Sequence, residues 1–327
     1  MIISRTPLRI SFAGGGTDIP SFYNKNSYGC VLSSAINKYI YVSVKSHSNL
    51  FSEKFRLNYS ETEIVDNVDK IKHPIIKACL KYLEIDENIY ISTVADVPGS
   101  TGLGSSSAFC VGLLNALYAY KGQTINRHRL AKEAAKIEIE VLKRPIGKQD
   151  HYSATFGGIN FFKFYSNENI SIRPIDKTSK IVKSMFSNLI TFYTYQTRDA
   201  SKILSYQKKR AKLNKNNLLL IRDQAEDLYD LIYSKKLSVK KFGELLDNGW
   251  KNKKQLSKKI SNKFIDELYL TAKKNGAYGG KLSGAGGGGF LTFIVKKNQK
   301  KSIIKSLSRK KIQYFPIKLE TTGSIIL

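Results

Sequence analysis

At 327 residues, with 42% hydrophobic and 11% aromatic side chains, the chain is long enough for two ordinary domains and too apolar to be disordered. No apolar run approaches the roughly 20 residues of a bilayer span, Met1-Ile-Ile-Ser-Arg-Thr-Pro lacks a charged-then-apolar leader, and Cys30, Cys79 and Cys110 are odd in number and far apart, so membrane, secreted and disulfide-stapled classes fall away and a cytoplasmic protein with buried free thiols is expected. The net charge of +28 is carried mainly by lysines along helix faces, as at Lys235-Lys236 and Lys258-Lys259, without aromatic-plus-arginine clusters; this argues against nucleic acid and leaves nucleotides and sugar phosphates as acidic partners.

The chain opens on strand-like segments, Ile2–Ser4, Leu8–Phe12, Cys30–Ile36 and Ile40–Lys45. A polar stretch and a short helix, Pro74–Leu83, precede a strand over Ile89–Ala95 that stops at Pro98. A helix over 105–121 ends at Gly122. A second runs from about Asn126 to Lys143, with Leu130, Ala134, Ile137 and Val141 on one face and Pro145 and Gly147 as stops. A loop follows, then a hairpin-like pair, Gly158–Phe164 and Ile170–Pro174. From about residue 180 the pattern changes. It reads as a strand over Leu189–Thr197, then a lysine-rich helical region to about 275 with a break near Ser234–Val239. A glycine-rich passage leads into the strand Phe290–Val295, and a basic helix over 298–310 and a strand over Ile312–Leu319 close the chain. This second half predicts a ferredoxin-like α+β domain, so two domains are expected, residues 1–180 and 181–327.

Four motifs carry the chemistry. Pro98, Gly99, Ser100, Thr101, Gly102, Leu103, Gly104, Ser105, Ser106 and Ser107 join a strand end to an apolar helix. The glycines let backbone N–H groups turn inward, the serines are expected to cap the helix, and the helix start adds about half a positive charge; such a site holds an anion, most plausibly a phosphate. Upstream, Arg9 is followed by Gly14, Gly15 and Gly16, then Thr17 and Asp18, a polar pair after glycines that suits a hydroxylated ligand. In the loop after the second helix, which carries Glu138 and Glu140, Asp150 follows Lys148, a setting for a general base or orienting group. Finally, Lys281-Leu-Ser-Gly-Ala-Gly-Gly-Gly-Gly289, with Gly284, Gly286 and Gly287, makes sense where the main chain packs against another loop or a ligand. Residues 284–289 satisfy G-x-G-x-x-G but precede a strand instead of opening a helix, which excludes the dinucleotide fingerprint. The Walker pattern fails as well, since Asn275 and Leu282 stand where Gly and Ser/Thr are needed. The four histidines are not paired with cysteine at zinc spacing, so no zinc site is expected.

In this order and at these distances the four motifs resemble the GHMP kinase superfamily (galactokinase, homoserine kinase, mevalonate kinase and phosphomevalonate kinase) over nearly the whole chain. Pro98, Gly102, Leu103, Ser105 and Ser106 match the family's P-x-x-x-G-L-x-S-S motif, and Lys281–Gly289 its C-terminal glycine-rich motif. The resemblance implies an α+β, two-domain GHMP kinase fold, with an N-terminal domain like ribosomal protein S5 domain 2 and a ferredoxin-like C-terminal domain. It further implies ATP and Mg²⁺ as cofactors. Loop 96–108 would wrap the ATP phosphates, a hydroxyl of Ser105 or Ser106 would lie near Mg²⁺, and Glu138, with Glu140 as fallback, would supply the metal carboxylate. Asp150 corresponds to the carboxylate that takes or orients the acceptor's proton. Arg9 stands where several members have a lysine and would act electrostatically, since arginine does not surrender its proton. Residues 283–289 would brace the phosphate loop.

The run Ala13-Gly-Gly-Gly-Thr-Asp18 together with Gly147-Lys-Gln-Asp-His-Tyr152 resembles bacterial kinases of D-glycero-D-manno-heptose 7-phosphate, which act on the way to nucleotide-activated heptose for surface polysaccharides. That likeness implies γ-phosphoryl transfer to the C1 hydroxyl of a sugar phosphate, with Gly15, Gly16, Thr17, Asp18, Lys148 and Asp150 at the acceptor. Lys148 and Arg144, or Arg198 and Lys202, would meet the acceptor's own phosphate. The alternatives are a kinase of an unphosphorylated sugar such as fucose or galactose, and a non-catalytic sugar-binding or interaction protein. A monomer or homodimer is expected.

Overall fold

Two long antiparallel strands form the spine of the N-terminal half. The computed structural model describes residues 1–196 and 214–327. β1 (Ile2–Ala13) and β2 (Tyr28–Ser46) each run through what the sequence pattern divides into two short segments. Their ladder shifts register between Pro7 and Leu8 and again between Ser11 and Ala13. Such irregularities bend a strand without ending it, and Pro7, which has no N–H to donate, sits at the first.

The half is completed by a short α1 (Pro20–Tyr23), β3 (Phe55–Asn58), β4 (Thr62–Val65), α2 (Pro74–Tyr82), β5 (Ile89–Ala95), α3 (Ser105–Tyr120), α4 (Arg127–Lys136), α5 (Gln149–Phe156), β6 (Ile159–Tyr165) and β7 (Ile170–Pro174). β5 pairs with the Ile40–Ser46 end of β2 and β6 with its Tyr28–Ser34 end, so one strand serves two neighbours. α3 is buried from Ser107 to Leu114 on every side, as its unbroken apolar run demands. Two expectations change here. The second predicted helix does not stay α-helical to Lys143, because α4 passes into a π turn over Ile137–Val141. The stretch expected as a loop, with Asp150 in it, is helix α5; it is short, lies between Gly147 and Gly157, and ends where Gly157 takes φ +68°.

The second half contains α6 (Lys180–Ser187), β8 (Leu189–Tyr193), α7 (Lys215–Tyr233), α8 (Val239–Gln255), α9 (Lys263–Lys274), β9 (Ala277–Leu282), β10 (Phe290–Val295), α10 (Lys300–Ser308) and β11 (Gln313–Tyr314). Its antiparallel sheet has the order β11-β8-β10-β9, that is 4-1-3-2, the ferredoxin-like arrangement. The chain ends in β12 (Ile325–Ile326), which pairs with β1 through Ser4 and Arg5 and returns the C-terminus to the large sheet. The split at residues 1–180 and 181–327 therefore remains our proposal for the globular division. Phe12 of β1 meets Phe186 and Phe242 edge-on, with ring centroids 6.1 and 5.4 Å apart, and joins the two halves. Among the described residues no helix is long and apolar enough to cross a membrane.

Helix α8 presses against β9 at a pair of glycines. A Cβ on Gly243 would lie inside the contact radius of Tyr278 Cβ, and one on Gly279 inside that of Gly243 O. This close approach sets how far α8 reaches over the mouth of the cavity described below. Gly243→Ala should force the helix off the sheet and cost about 1–3 kcal/mol, read as a lowered midpoint in denaturant unfolding; an unchanged midpoint would show that the contact is not tight.

Candidate active site

A cavity of about 400 Å³ opens where β1, the start of α3, the start of α5 and helices α7 and α8 converge. Its floor is the loop ahead of α3. Gly102 and Gly104 have φ of +84° and +77°, values that only glycine adopts without strain. The N-cap of α3 is Gly104, with no side-chain cap, so the serines do not cap the helix as expected; they form its first turn, and the first-turn amides keep no side-chain acceptor. Ser100, Gly102, Gly104, Ser105, Ser106 and Ser107 line the cavity; Thr101 and Leu103 are buried off it, and Pro98 and Gly99 are exposed and do not line it. Thr101 Oγ1 donates to Pro98 O at 3.0 Å, and Arg9 N donates to Leu103 O at 3.0 Å. The distant glycine-rich run packs onto this loop: a Cβ on Gly102 would come within 2.7 Å of Ser283 O, and one on Gly284 within 2.5 Å of Gly102 Cα. Gly284 lines the cavity, and Gly286 and Gly287 do not.

Arg9, only 4% exposed, joins this loop to the predicted base. Its Nε donates to Asp150 Oδ1 at 2.6 Å and its Nη2 to Asp150 Oδ2 at 2.7 Å, a two-pronged ion pair, while Nη1 donates to Gly102 O at 2.7 Å. Asp150 is in the first turn of α5 and faces the cavity.

Glu138 forms a second cluster. The π turn directs it inward, where it is fully buried; Glu140 is exposed and does not line the cavity. Ser106 Oγ donates to Glu138 Oε1 at 2.8 Å, Arg144 Nη1 lies 2.6 Å from both of those atoms, and His151 Nε2 is 2.8 Å from Glu138 Oε2. Burial alone would raise the carboxyl's pKa, but the His151 hydrogen bond and the His151 and Arg144 charges outweigh it and hold it at about 2. Glu138 is thus ionised at neutral pH. A hydroxyl and an ionised carboxylate side by side are hard oxygen donors of the kind Mg²⁺ takes when phosphates and water complete its shell. Among the described residues no group of three or more Asp, Glu, His and Cys is placed to hold an ion.

The opposite wall is polar and small. Gly15, Gly16 and Asp18 line it. Asp18 Oδ1 accepts from Gly16 N at 3.0 Å and Gln149 Nε2 at 3.1 Å, and Oδ2 accepts from Gln149 N at 3.0 Å. Burial pushes the Asp18 carboxyl up, against the Gln149 backbone bond that lowers it, and the charge of Asp150 adds to the rise. Thr17 does not reach the cavity; its hydroxyl lies 2.8 Å from Gly14 O and 2.9 Å from Cys30 O and holds the glycine turn to β2. The Ser11 hydroxyl and Gln149 Oε1, both on the cavity wall, are buried without a partner among the described residues. Lys148 is not among the lining residues: its ammonium pairs with Glu168 and lies over the Tyr23 ring. Arg144 sits beside Ser106 rather than on this wall. Arg198 and Lys202 lie outside the described residues.

Sequence reasoning missed His151, Gln149 and Lys253. Lys253 comes from α8 and lines the cavity beside Lys281. Position in a helix register marked Lys253 only as one basic residue among many, whereas His151 and Gln149 flank Asp150 and were within reach of the motif.

The chain has known relatives. Residues 69–158 match the GHMP kinases N terminal domain and residues 230–313 the GHMP kinases C terminal. A D-glycero-alpha-D-manno-heptose 7-phosphate kinase of Campylobacter jejuni is 31% identical over 321 residues, 94% of this chain and 93% of that protein. A galactokinase of Pyrococcus furiosus is 25% identical, with 97% of each chain covered. The crystal structure of a D-glycero-D-manno-heptose 1-phosphate kinase from Bacteroides thetaiotaomicron superposes with a TM-score of 0.81 at 23% identity, covering 100% of this chain and 99% of that one, and so shares its fold. With the two-domain architecture and matches to both domain models, the chain belongs to the GHMP kinase family and is an ATP-dependent kinase.

Proposed function

We propose that this kinase transfers the ATP γ-phosphoryl group to the anomeric C1 hydroxyl of D-glycero-D-manno-heptose 7-phosphate and gives the 1,7-bisphosphate, a step toward nucleotide-activated heptose for surface polysaccharides. The observation that carries the reading is a carboxylate, Asp150, clamped by Arg9 between the glycine/serine loop and a wall with free hydrogen-bonding atoms. The similarity to the Campylobacter jejuni heptose 7-phosphate kinase over nearly the full length of both chains supports the choice of acceptor.

In this mechanism the uncapped amides of the 102–107 loop bind phosphate oxygens. Ser106 and Glu138 would hold Mg²⁺, which would supply charge neutralisation on the phosphates. Asp18, Gln149 and Ser11 bind sugar hydroxyls through their open acceptor and donor positions. Both Asp150 oxygens are engaged by Arg9, so the carboxylate is held in one orientation and aligns the attacking hydroxyl as its proton leaves. Arg9 offsets the charge that gathers on that side. Positioning and charge stabilisation, not covalent chemistry, supply the rate. We place the enzyme in the cytoplasm as a monomer or homodimer.

ADP release measured across a panel of sugars and sugar phosphates tests the acceptor. D-glycero-D-manno-heptose 7-phosphate should give the highest kcat/KM; a preference for fucose or galactose would replace the reading with that of an unphosphorylated-sugar kinase. No turnover on any acceptor would favour a sugar-binding protein. Asp150→Asn should lower kcat by about 10²–10⁴-fold while nucleotide affinity survives, and a rate close to wild type would remove Asp150 from the mechanism. Glu138→Gln should raise the Mg²⁺ concentration needed for half-maximal rate by about 10-fold or more, measured by titrating the metal at saturating ATP.

A further inference from the structure

Two ammonium groups in the cavity have no anionic partner among the described residues. Lys253, on α8, donates from Nζ to Leu282 O at 3.3 Å and to Gly284 O. Lys281, on β9, donates to Phe12 O at 3.2 Å. Among the described residues neither is within ion-pair distance of a carboxylate, although Lys251 and Lys254 on the same helix pair with Asp247 and Asp266 at 2.8 and 3.0 Å. The carboxylates that line the cavity are otherwise engaged: Asp150 by Arg9, Glu138 by Arg144 and His151, and Asp18 by Gln149 and the Gly16 amide. Burial drives the Lys253 pKa down to about 7, with Arg9 adding to the fall, and holds Lys281 well below the usual lysine range, with Lys253 and Arg9 adding to that fall. Gathering three cations in a shielded space is costly unless an anion joins them.

We propose that Lys253 and Lys281 form a cationic seat for the phosphoryl group in transit between nucleotide and acceptor. The location decides this. Gly284 O, which Lys253 touches, belongs to the run that packs on Gly102, and Gly102 O is held by the same Arg9 that clamps Asp150. The Lys253 ammonium is therefore a few contacts from Asp150, and Lys281 lines the same cavity, which places the pair on the side where the γ-phosphoryl would meet the acceptor oxygen. A second phosphate on C7 would lie at the far end of the sugar. In the transfer the bond from phosphorus to the leaving β-phosphate oxygen breaks, the bond to the acceptor oxygen forms, and the hydroxyl proton passes to the Asp150 side. The two lysines exchange no proton in this step. They neutralise charge on the phosphoryl oxygens, whose charge peaks as the group is transferred.

The inference rests on the kinase reading and on the side of the cavity assigned to the acceptor, so the experiment has two arms. In the first, wild-type enzyme and Lys253→Met, Lys281→Met and Lys253→Arg are assayed with D-glycero-D-manno-heptose 7-phosphate. The Met variants should lose about 100-fold in kcat with acceptor KM little changed, and Lys253→Arg should recover part of the loss. A wild type inactive on this sugar would fault the acceptor assignment alone. The second arm needs no acceptor: binding of Mg·ADP is measured by calorimetry with and without aluminium fluoride, a planar mimic of the group in transit. The Met variants should bind Mg·ADP like wild type but lose about tenfold or more of the affinity gained with fluoride. An unchanged kcat and an unchanged fluoride gain would overturn the proposal. So would a rise in KM for the sugar phosphate at constant kcat, which would assign the pair to the acceptor's own phosphate. Replacing a half-buried ammonium that has no carboxylate partner among the described residues by an apolar chain of similar length is not expected to unfold the protein, and thermal melting of each variant checks this.

Discussion

The site depends on one buried guanidinium. Arg9 reaches from β1 to two partners that the chain brings together from far apart, Asp150 of α5 and Gly102 of the loop before α3. A planar fork with five donors binds both carboxylate oxygens and a carbonyl in one fixed geometry, which the rotating point charge of a lysine does not impose. Because Arg9 is nearly inaccessible, these bonds are little screened by water. Arg9 thus sets the distance between the carboxylate and the phosphate-binding backbone in a way that thermal motion of either loop does not easily change.

That constraint works only because the backbones nearby have no side chains to hold them apart. Gly102 meets Ser283 and Gly284 at distances that leave no room for a Cβ, and Gly104 would bring one to 3.2 Å of Arg9 Cγ and 3.3 Å of the Asp150 carboxyl. The C-terminal domain therefore contributes to the phosphate site through main chain packed on main chain. The contact depends in turn on β9 and β10, which frame the glycine run, and on α8, which lies on β9 at Gly243 and Gly279. Packing far from the chemistry is transmitted to the loop through this stack.

Much of this was legible in the sequence, and the failures have physical causes. The strand Ile89–Ala95, the start of α3 and the β6–β7 hairpin follow from local signals: a proline stop, glycines before an apolar run, and alternating residues between glycines. The continuity of β1 and β2 was not legible, because a bulge at Pro7 interrupts the alternation while the ladder continues on either side. β9 is too glycine-rich to read as a strand and is formed by pairing with β10. Helix α5, eight residues between glycines, has a weak periodic signal and owes its existence to burial of His151, Tyr152, Ala154 and Thr155. The cavity motifs were legible because glycine runs are rare and positional. Lys253 was not, since its role arises from where α8 is set down and not from its neighbours in sequence.

The same distinction bears on the chain's large positive charge. A net +28 distributed over a surface raises the local concentration of phosphorylated ligands, but salt screens it and it cannot choose one atom over another. Several lysines outside the cavity, such as Lys163 with Glu226 and Lys254 with Asp266, are locally neutralised. Inside the cavity the balance is reversed. Every lining carboxylate has a donor, while among the described residues two ammonium groups meet only carbonyl oxygens. Because burial disfavours their charged form, an anion that enters beside Lys253 and Lys281 restores it, and the pair then meets that anion in a space where a charge acts more strongly than at the surface. Steering is thus a property of the composition, and selectivity for a phosphoryl group in one place is a property of the fold.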